Sequence, residues 1–243
     1  MGKDTPGGGD EMIRIREADE RGRTRVGWLN ARHTFSFGDY FDSEQMGFRS
    51  LRVLNDDVVG PGAGFPSHPH RDMEILTWVL DGSLGHRDSL GSGAVVHAGE
   101  VQRMSAGTGI VHSEYNPSST EPVHLLQIWI HPDRQGLPPE YEQKPIPIAA
   151  QPGQLHLVAS PDGREGSVRI HQDACVWVAR LARGDEVSHA LRLRSGVWLQ
   201  VARGEISLNG LALREGDGAA IEDEENLKIV GASPSEVLLF DLA

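Results

Sequence analysis

The sequence predicts an all-β protein made of two β barrels in tandem, and three observations carry that expectation. Short apolar segments recur along the chain, at residues 51–54, 75–80, 123–130, 175–181, 197–201 and 237–240. Between them stand turn pairs, namely Asp81-Gly82, Asp162-Gly163, Asn209-Gly210 and Asp217-Gly218. Segments this short, rich in β-branched and aromatic side chains and broken at close intervals by turn residues, read as strands of a sandwich or barrel. The third observation is a crowd of prolines, Pro132, Pro138, Pro139, Pro145, Pro147 and Pro152. Proline lacks a backbone donor, so this stretch cannot supply a full hydrogen-bond ladder and reads as a connection between units.

Taken in order, residues 1–11 are polar and glycine-rich with no apolar period, and read as a flexible extension ahead of a natural start at Met12. Charges at Arg14, Arg16, Glu17 and Asp19 occupy the place of a secretion signal's apolar core, so a cytoplasmic protein is expected. Residues 12–135 form the first unit, 136–153 the proline-rich connection and 154–243 the second unit. The units resemble each other: Trp78 and Trp198 each sit on a strand running into a turn glycine, Gly82 and Gly204. Gly99-Glu100 and Gly216-Asp217 follow. A weak internal repeat of this kind suggests a duplicated barrel.

A length of 243 residues with 38% apolar content supports a core, and no apolar run approaches a membrane span. The formal charge of −12 repels phosphate backbones, so neither membrane nor nucleic acid is expected as a direct partner. The lone Cys175 excludes an intrachain disulfide, whereas there are eleven histidines. A metal bound here would take imidazole and carboxylate ligands, not thiolate.

The densest chemistry is Gly62-x5-His68-x-His70-x3-Glu74. Strand residues two apart share a face, so His68 and His70 can clamp one ion. Gly109-x2-His112-x-Glu114 sets two more donors at the same spacing. Three imidazoles and a carboxylate suit a divalent transition metal and leave coordination positions open, as in non-haem iron oxygenases. A closed structural zinc site more often uses cysteine.

These two segments, with Asn116 completing Gly109-x2-His112-x3-Asn116, resemble the two cupin motifs. The wording FPSHPHRDMEILTWVLDG and MSAGTGIVHSEYNPS, with the upstream run from His33 to Phe41, resembles the pirin family of bicupins, nearest to its bacterial members described as quercetin 2,3-dioxygenases. The resemblance is strong over residues 12–148 and weaker beyond. It implies two cupin barrels (double-stranded β-helices), a metal held by His68, His70, His112 and Glu114, and Glu114 as the catalytic base. Iron is the first expectation for the metal; zinc, nickel, copper, manganese and cobalt also fit. The implied reaction is cleavage of a flavonol by dioxygen with release of carbon monoxide. The alternative implied by the same family is a non-enzymatic, metal-responsive regulator that binds a protein partner, and a third possibility is a cupin enzyme with an unrelated substrate.

Archetypal cupins use the first-motif glutamate, here Glu74, as the carboxylate ligand. The resemblance and the i, i+2 spacing both favour Glu114 as ligand, leaving Glu74 to orient a ligand, cap a strand, or accept the substrate proton beside or in place of Glu114. Gly107 stands where the second cupin motif places proline, a departure in loop geometry. Counting from Trp198 as from Trp78 places Ser188, Ala190, Arg194, Ile229 and Gly231 at the corresponding positions of the second unit, which is therefore expected to lack metal ligands, with His189 on the surface. His33, His124 and His131 read as core or rim residues, with His33 near the cavity mouth. His86, His97, His156 and His171 read as exposed, and apolar side chains are expected around the metal.

Overall fold

The computed structural model describes residues 12–243, and the expected extension at 1–11 lies outside them. Twenty-two strands follow in order: β1 (Ile13–Arg16), β2 (Gly22–Val26), β3 (Leu29–His33), β4 (Leu51–Val59), β5 (Gly64–His70), β6 (Glu74–Asp81), β7 (Ser83–Asp88), β8 (Gly93–His97), β9 (Glu100–Ser105), β10 (Ile110–Tyr115), β11 (Val123–Ile130), β12 (Glu140–Pro145), β13 (His156–Ser160), β14 (Val168–Arg169), β15 (Ala174–Leu181), β16 (Glu186–Ala190), β17 (Gly196–Arg203), β18 (Glu205–Leu208), β19 (Leu211–Arg214), β20 (Gly218–Ile221), β21 (Asn226–Gly231) and β22 (Ser235–Leu242). Among the described residues helix is confined to short 3₁₀ turns. No helix among the described residues is long and apolar enough to cross a membrane.

The first unit faces a large sheet, β12-β9-β6-β11-β4-β3-β2, with a small one, β5-β10-β7-β8. The second unit repeats this, β1-β20-β17-β22-β15-β13-β14 facing β16-β21-β18-β19. Each strand from β4 to β11 is answered by the strand eleven further on, which makes the duplication a topological fact. One of the sequence turns closes a hairpin as its chemistry requires. Asn209 (φ 48°) and Gly210 (φ 89°) join β18 to β19, and their paired positive φ values are those of a type I′ turn.

Edge strands interlock the barrels. The first strand, β1, leaves its own unit and pairs with β20 of the second, while the proline-rich stretch contributes β12 to the edge of β9. Its last residue, Pro145, sits at the sheet margin, where a missing donor costs nothing in the ladder.

The large sheets are buried on both faces, which explains why β6 and β22 read as continuous apolar runs instead of alternating ones. Their outer faces share one core, containing Leu76, Trp78, Leu80 and Leu126 from the first unit with Val176, Trp198, Leu238 and Phe240 from the second. The interior of the second barrel is filled by aliphatic side chains, among them Val187, Leu199, Leu208, Leu227, Ile229 and Leu239.

The structural register of the repeat differs from the sequence count by two residues. Gln200, not Trp198, stands as far ahead of Gly204 as Trp78 stands ahead of Gly82. It pairs with Gly218 as Trp78 pairs with Val101, each partner two residues past a turn glycine. In this register Ile229 lies opposite Leu208 as Glu114 lies opposite His86, and Leu227 lies opposite His189 as His112 lies opposite His68. His189 is therefore not a surface residue. Its Nε2 is 3.2 Å from Asp241 Oδ2, a side chain only 4% exposed.

Candidate metal centre

The small sheet of the first barrel carries three donor pairs on adjacent strands, each two residues apart and therefore on one face. They are His68 and His70 on β5, His112 and Glu114 on β10, and His86 and Asp88 on β7. Register sets them side by side: His112 lies opposite both His68 and Asp88, and Glu114 lies opposite His86. The turn leading into β10 bends at Gly107, with φ of 47° and a Leu137 carbonyl where a Cβ would sit, so only glycine fits there.

His68, His70 and His112 converge. Their ring centroids lie 4.5 to 4.9 Å apart, and each offers a nitrogen within 4.8 Å of the others. His68 Nδ1 donates to the Pro66 carbonyl at 2.7 Å, which leaves Nε2 as a bare lone pair directed at His112 Nε2, 3.1 Å away. Burial, reinforced by the neighbouring imidazoles, lowers the pKa of His70 to about 4 and that of His112 to about 3. Neutral imidazoles whose nitrogens crowd a single point have the donor chemistry of a transition-metal site.

Glu114 is buried, and its carboxylate is clamped from the large sheet. Gln102 Nε2 donates to Oε1 at 3.0 Å and Gln127 Nε2 to Oε2 at 2.9 Å. Burial raises its pKa, opposed by His86 and by these amide donors. Glu114 groups most tightly with His112 and His86, whose donor atoms lie with its own within 4.8 Å.

Glu74 faces the other way. It shares the outer face of β6 with Leu76 and Trp78, and it accepts from Ser105 Oγ at 2.8 Å and His171 Nδ1 at 3.2 Å. Thr77, of opposite parity, points inward and donates to Gln127 Oε1 at 2.9 Å.

The surroundings of the centre differ from the apolar cup expected. Cross-strand register aligns His33, Asn55, Gln127, Thr77 and Gln102 in one polar row across β3, β4, β11, β6 and β9. Beyond Gln102, Tyr141 on β12 donates to Gln102 Oε1 at 3.2 Å. Asp57, two residues along β4 from Asn55, is buried with Oδ1 unpaired; desolvation, with Asp56 and Glu114 nearby, raises its pKa well above the carboxylate range. Aromatic surface lies beside His70: the Trp129 ring is 4.9 Å away at 87°, and Phe37 packs on Trp129 at 5.4 Å.

Sequence reasoning missed His86 and Asp88. His86 is 1% exposed rather than solvated, and its Nε2 is 2.9 Å from Asp88 Oδ2. The signal was present, because His86-x-Asp88 repeats the spacing of the other two pairs. His156 and His171 are likewise buried or nearly so, bonded to the Gln151 carbonyl and to Glu74.

Two tandem double-stranded barrels, the first with inward-facing histidines at cupin-motif positions, define a bicupin. The pirin family model matches residues 14–130, and that of the quercetinase C-terminal cupin domain matches residues 157–242. The chain is 52% identical to a quercetin 2,3-dioxygenase of Escherichia coli K12, over 95% of this chain and 99% of that protein. It is 46% identical to a putative quercetin 2,3-dioxygenase of Pseudomonas aeruginosa, over 96% and 100%. Among solved structures, the bacterial pirin YhhW of E. coli in complex with nickel(II) superposes with a TM-score of 0.91 at 50% identity, covering 95% of this chain and 99% of that one. The chain belongs to the pirin family.

Proposed function

We propose that this protein is a metal-dependent dioxygenase that cleaves a flavonol such as quercetin with release of carbon monoxide, its metal held by His68, His70, His112 and Glu114. The observation that carries the reading is the convergence of three imidazoles, with the His68 and His112 Nε2 atoms 3.1 Å apart. The names of the relatives at 46% and 52% identity support the substrate class. The nickel(II) in the solved relative supports a divalent transition ion in this chain also. Iron and nickel both accept this nitrogen and oxygen donor set.

A divalent cation bound there would favour ionisation of the flavonol 3-hydroxyl and bring the electron-rich flavonolate together with dioxygen. Glu114 takes the hydroxyl proton, with its carboxylate held in orientation by Gln102 and Gln127. Glu74, bonded at the barrel interface, takes no part. Trp129 and Phe37 offer the flat apolar wall against which the substrate rings lie. The second barrel, filled with aliphatic side chains, holds no metal and supports the first through the shared core.

The test is quercetin turnover in air by protein of known metal content. Loss of the flavonol absorbance with release of carbon monoxide is expected, and metal-replete protein that does neither overturns the reading for this substrate. His112→Ala is expected to strip most of the metal; full occupancy in that variant means that the ligands are others.

A further inference from the structure

We propose that Tyr141 is a positioning residue for Glu114, its hydroxyl holding the Gln102 amide so that the NH2 end, not the carbonyl end, meets the carboxylate. This role rests on the metal centre of the proposed function, in which Glu114 is both ligand and base. Tyr141 comes from the proline-rich connection: β12 pairs with β9, setting Tyr141 opposite Met104 and Gln143 opposite Gln102.

A glutamine amide has two ends of nearly equal size and opposite sense, one accepting and one donating. Only the donating end is favourable against an ionised carboxylate, so whatever fixes the sense of Gln102 and Gln127 fixes how Glu114 is held. For Gln127 that is Thr77, whose hydroxyl donates to Gln127 Oε1 at 2.9 Å and leaves Nε2 for Glu114. Having donated there, Thr77 accepts from Gln102 Nε2 at 3.3 Å, and the same nitrogen reaches Glu114 Oε1 at 3.0 Å. Gln102 is fully buried, so its remaining Oε1 needs a donor from the protein. Among the described residues that donor is the Tyr141 hydroxyl, at 3.2 Å. The bonds therefore run in one sense, from Tyr141 through Gln102, Thr77 and Gln127 to Glu114.

Tyr141 is committed to donating. The other neighbour of its hydroxyl is also an acceptor, Gln143 Oε1 at 3.1 Å, because Gln143 Nε2 is taken by the Val95 carbonyl and by Glu100 Oε2. Burial, with Asp88, Glu114 and Glu100 nearby, raises the Tyr141 pKa and keeps the proton in place. Its ring stacks on His86, with centroids 4.7 Å apart and planes at 28°, which fixes the direction of the hydroxyl. Tyr141→Phe keeps that stack and leaves Gln102 Oε1 without a donor, so the amide is no longer held in one sense.

The experiment measures Co(II) affinity by competition against a chelator for four proteins: the unaltered chain, Tyr141→Phe, Gln102→Leu and the double variant. Each is checked for fold by circular dichroism, and Gln102→Met replaces Gln102→Leu if the latter does not fold. Tyr141→Phe is expected to weaken Co(II) binding by about 3- to 10-fold, the worth of one neutral hydrogen bond. In the Gln102→Leu background the same change is expected to have no further effect, because the hydroxyl acts through that amide. A Tyr141→Phe protein with parental Co(II) affinity, even one less stable to denaturant, overturns the positioning role. So does a loss that adds in full to that of Gln102→Leu, which would mean that Tyr141 reaches the centre by another route. An unaltered chain that binds no Co(II) overturns the metal centre of the proposed function and this role with it, a result read from the parent alone.

Discussion

His171 of the second unit donates through Nδ1 to Glu74 Oε1 of the first at 3.2 Å, so the carboxylate that most resembles an archetypal cupin ligand is a tie between barrels. Strand parity decides this. Glu74 and Thr77 are an odd number of residues apart on β6, and the inner face belongs to Thr77. Glu74→Ala is expected to leave metal content unchanged while lowering stability by about 1–3 kcal/mol, because the groups that bonded it stay buried. Denaturant unfolding and elemental analysis of one preparation check this; parallel loss of metal with the fold intact would make Glu74 a ligand.

The Glu114 carboxylate is held by Gln102 and Gln127 from two different strands of the large sheet. Removing an outer hydrogen bond to a ligand weakens metal binding by about 10–100-fold. Gln102→Leu and Gln127→Leu should each show a loss of that size in competition against a chelator, together with a stability loss of about 1–3 kcal/mol because the buried Glu114 carboxylate loses a donor. Undiminished affinity in both would mean that Glu114 does not contribute to the ion.

The donor pairs of the candidate centre are legible in the sequence and the clamp behind Glu114 is not, and the reason is geometric. The pairs His68 and His70, and His112 and Glu114, are visible because i, i+2 spacing fixes a common face without knowledge of register. The polar row is not. Thr77 within ILTWV and Gln127 within LLQIW each look like an isolated polar residue, and only pairing across β4, β11, β6 and β9 aligns them. The duplication was legible from the turn glycines, but Trp78 and Trp198 are not counterparts, and the two-residue offset hid that His189 occupies the place of His68. That β1 joins the second barrel has no sequence signal, since a four-residue strand does not encode its sheet.

Asp57 lies fully inside the barrel with Oδ1 unpaired, and its pKa is raised by desolvation first and by Asp56 and Glu114 second. A group protonated in the folded chain but ionised in the unfolded one stabilises fully below its unfolded pKa, and the contribution is lost as pH rises through the folded value. In the metal-free protein, stability should therefore fall by about 1.4 kcal/mol per pH unit across that window through this group. Asp57→Asn cannot ionise, so its stability relative to the parent should increase as pH rises above the ordinary carboxylate range. Parallel profiles for the two proteins would show that Asp57 is ionised in the fold.

Trp129 is the side chain best placed to bind a flat substrate without touching the ion. It shares the inward face of β11 with Gln127, and its ring stands 4.9 Å from His70 and 5.4 Å from Phe37. Substitution by leucine retains apolar bulk but removes the planar surface, which is worth about 0.5–1.5 kcal/mol in an aromatic pair beyond area alone. At 1.4 kcal/mol per tenfold, Trp129→Leu is expected to raise KM for quercetin by up to about 10-fold. Because Trp129 donates nothing to the metal or to Glu114, kcat and metal content should stay close to the parent values. Steady-state kinetics on metal-quantified protein separate the cases: an unchanged KM means the rings lie elsewhere, whereas a fall in kcat with metal retained means that Trp129 positions the reacting carbon as well as the ring.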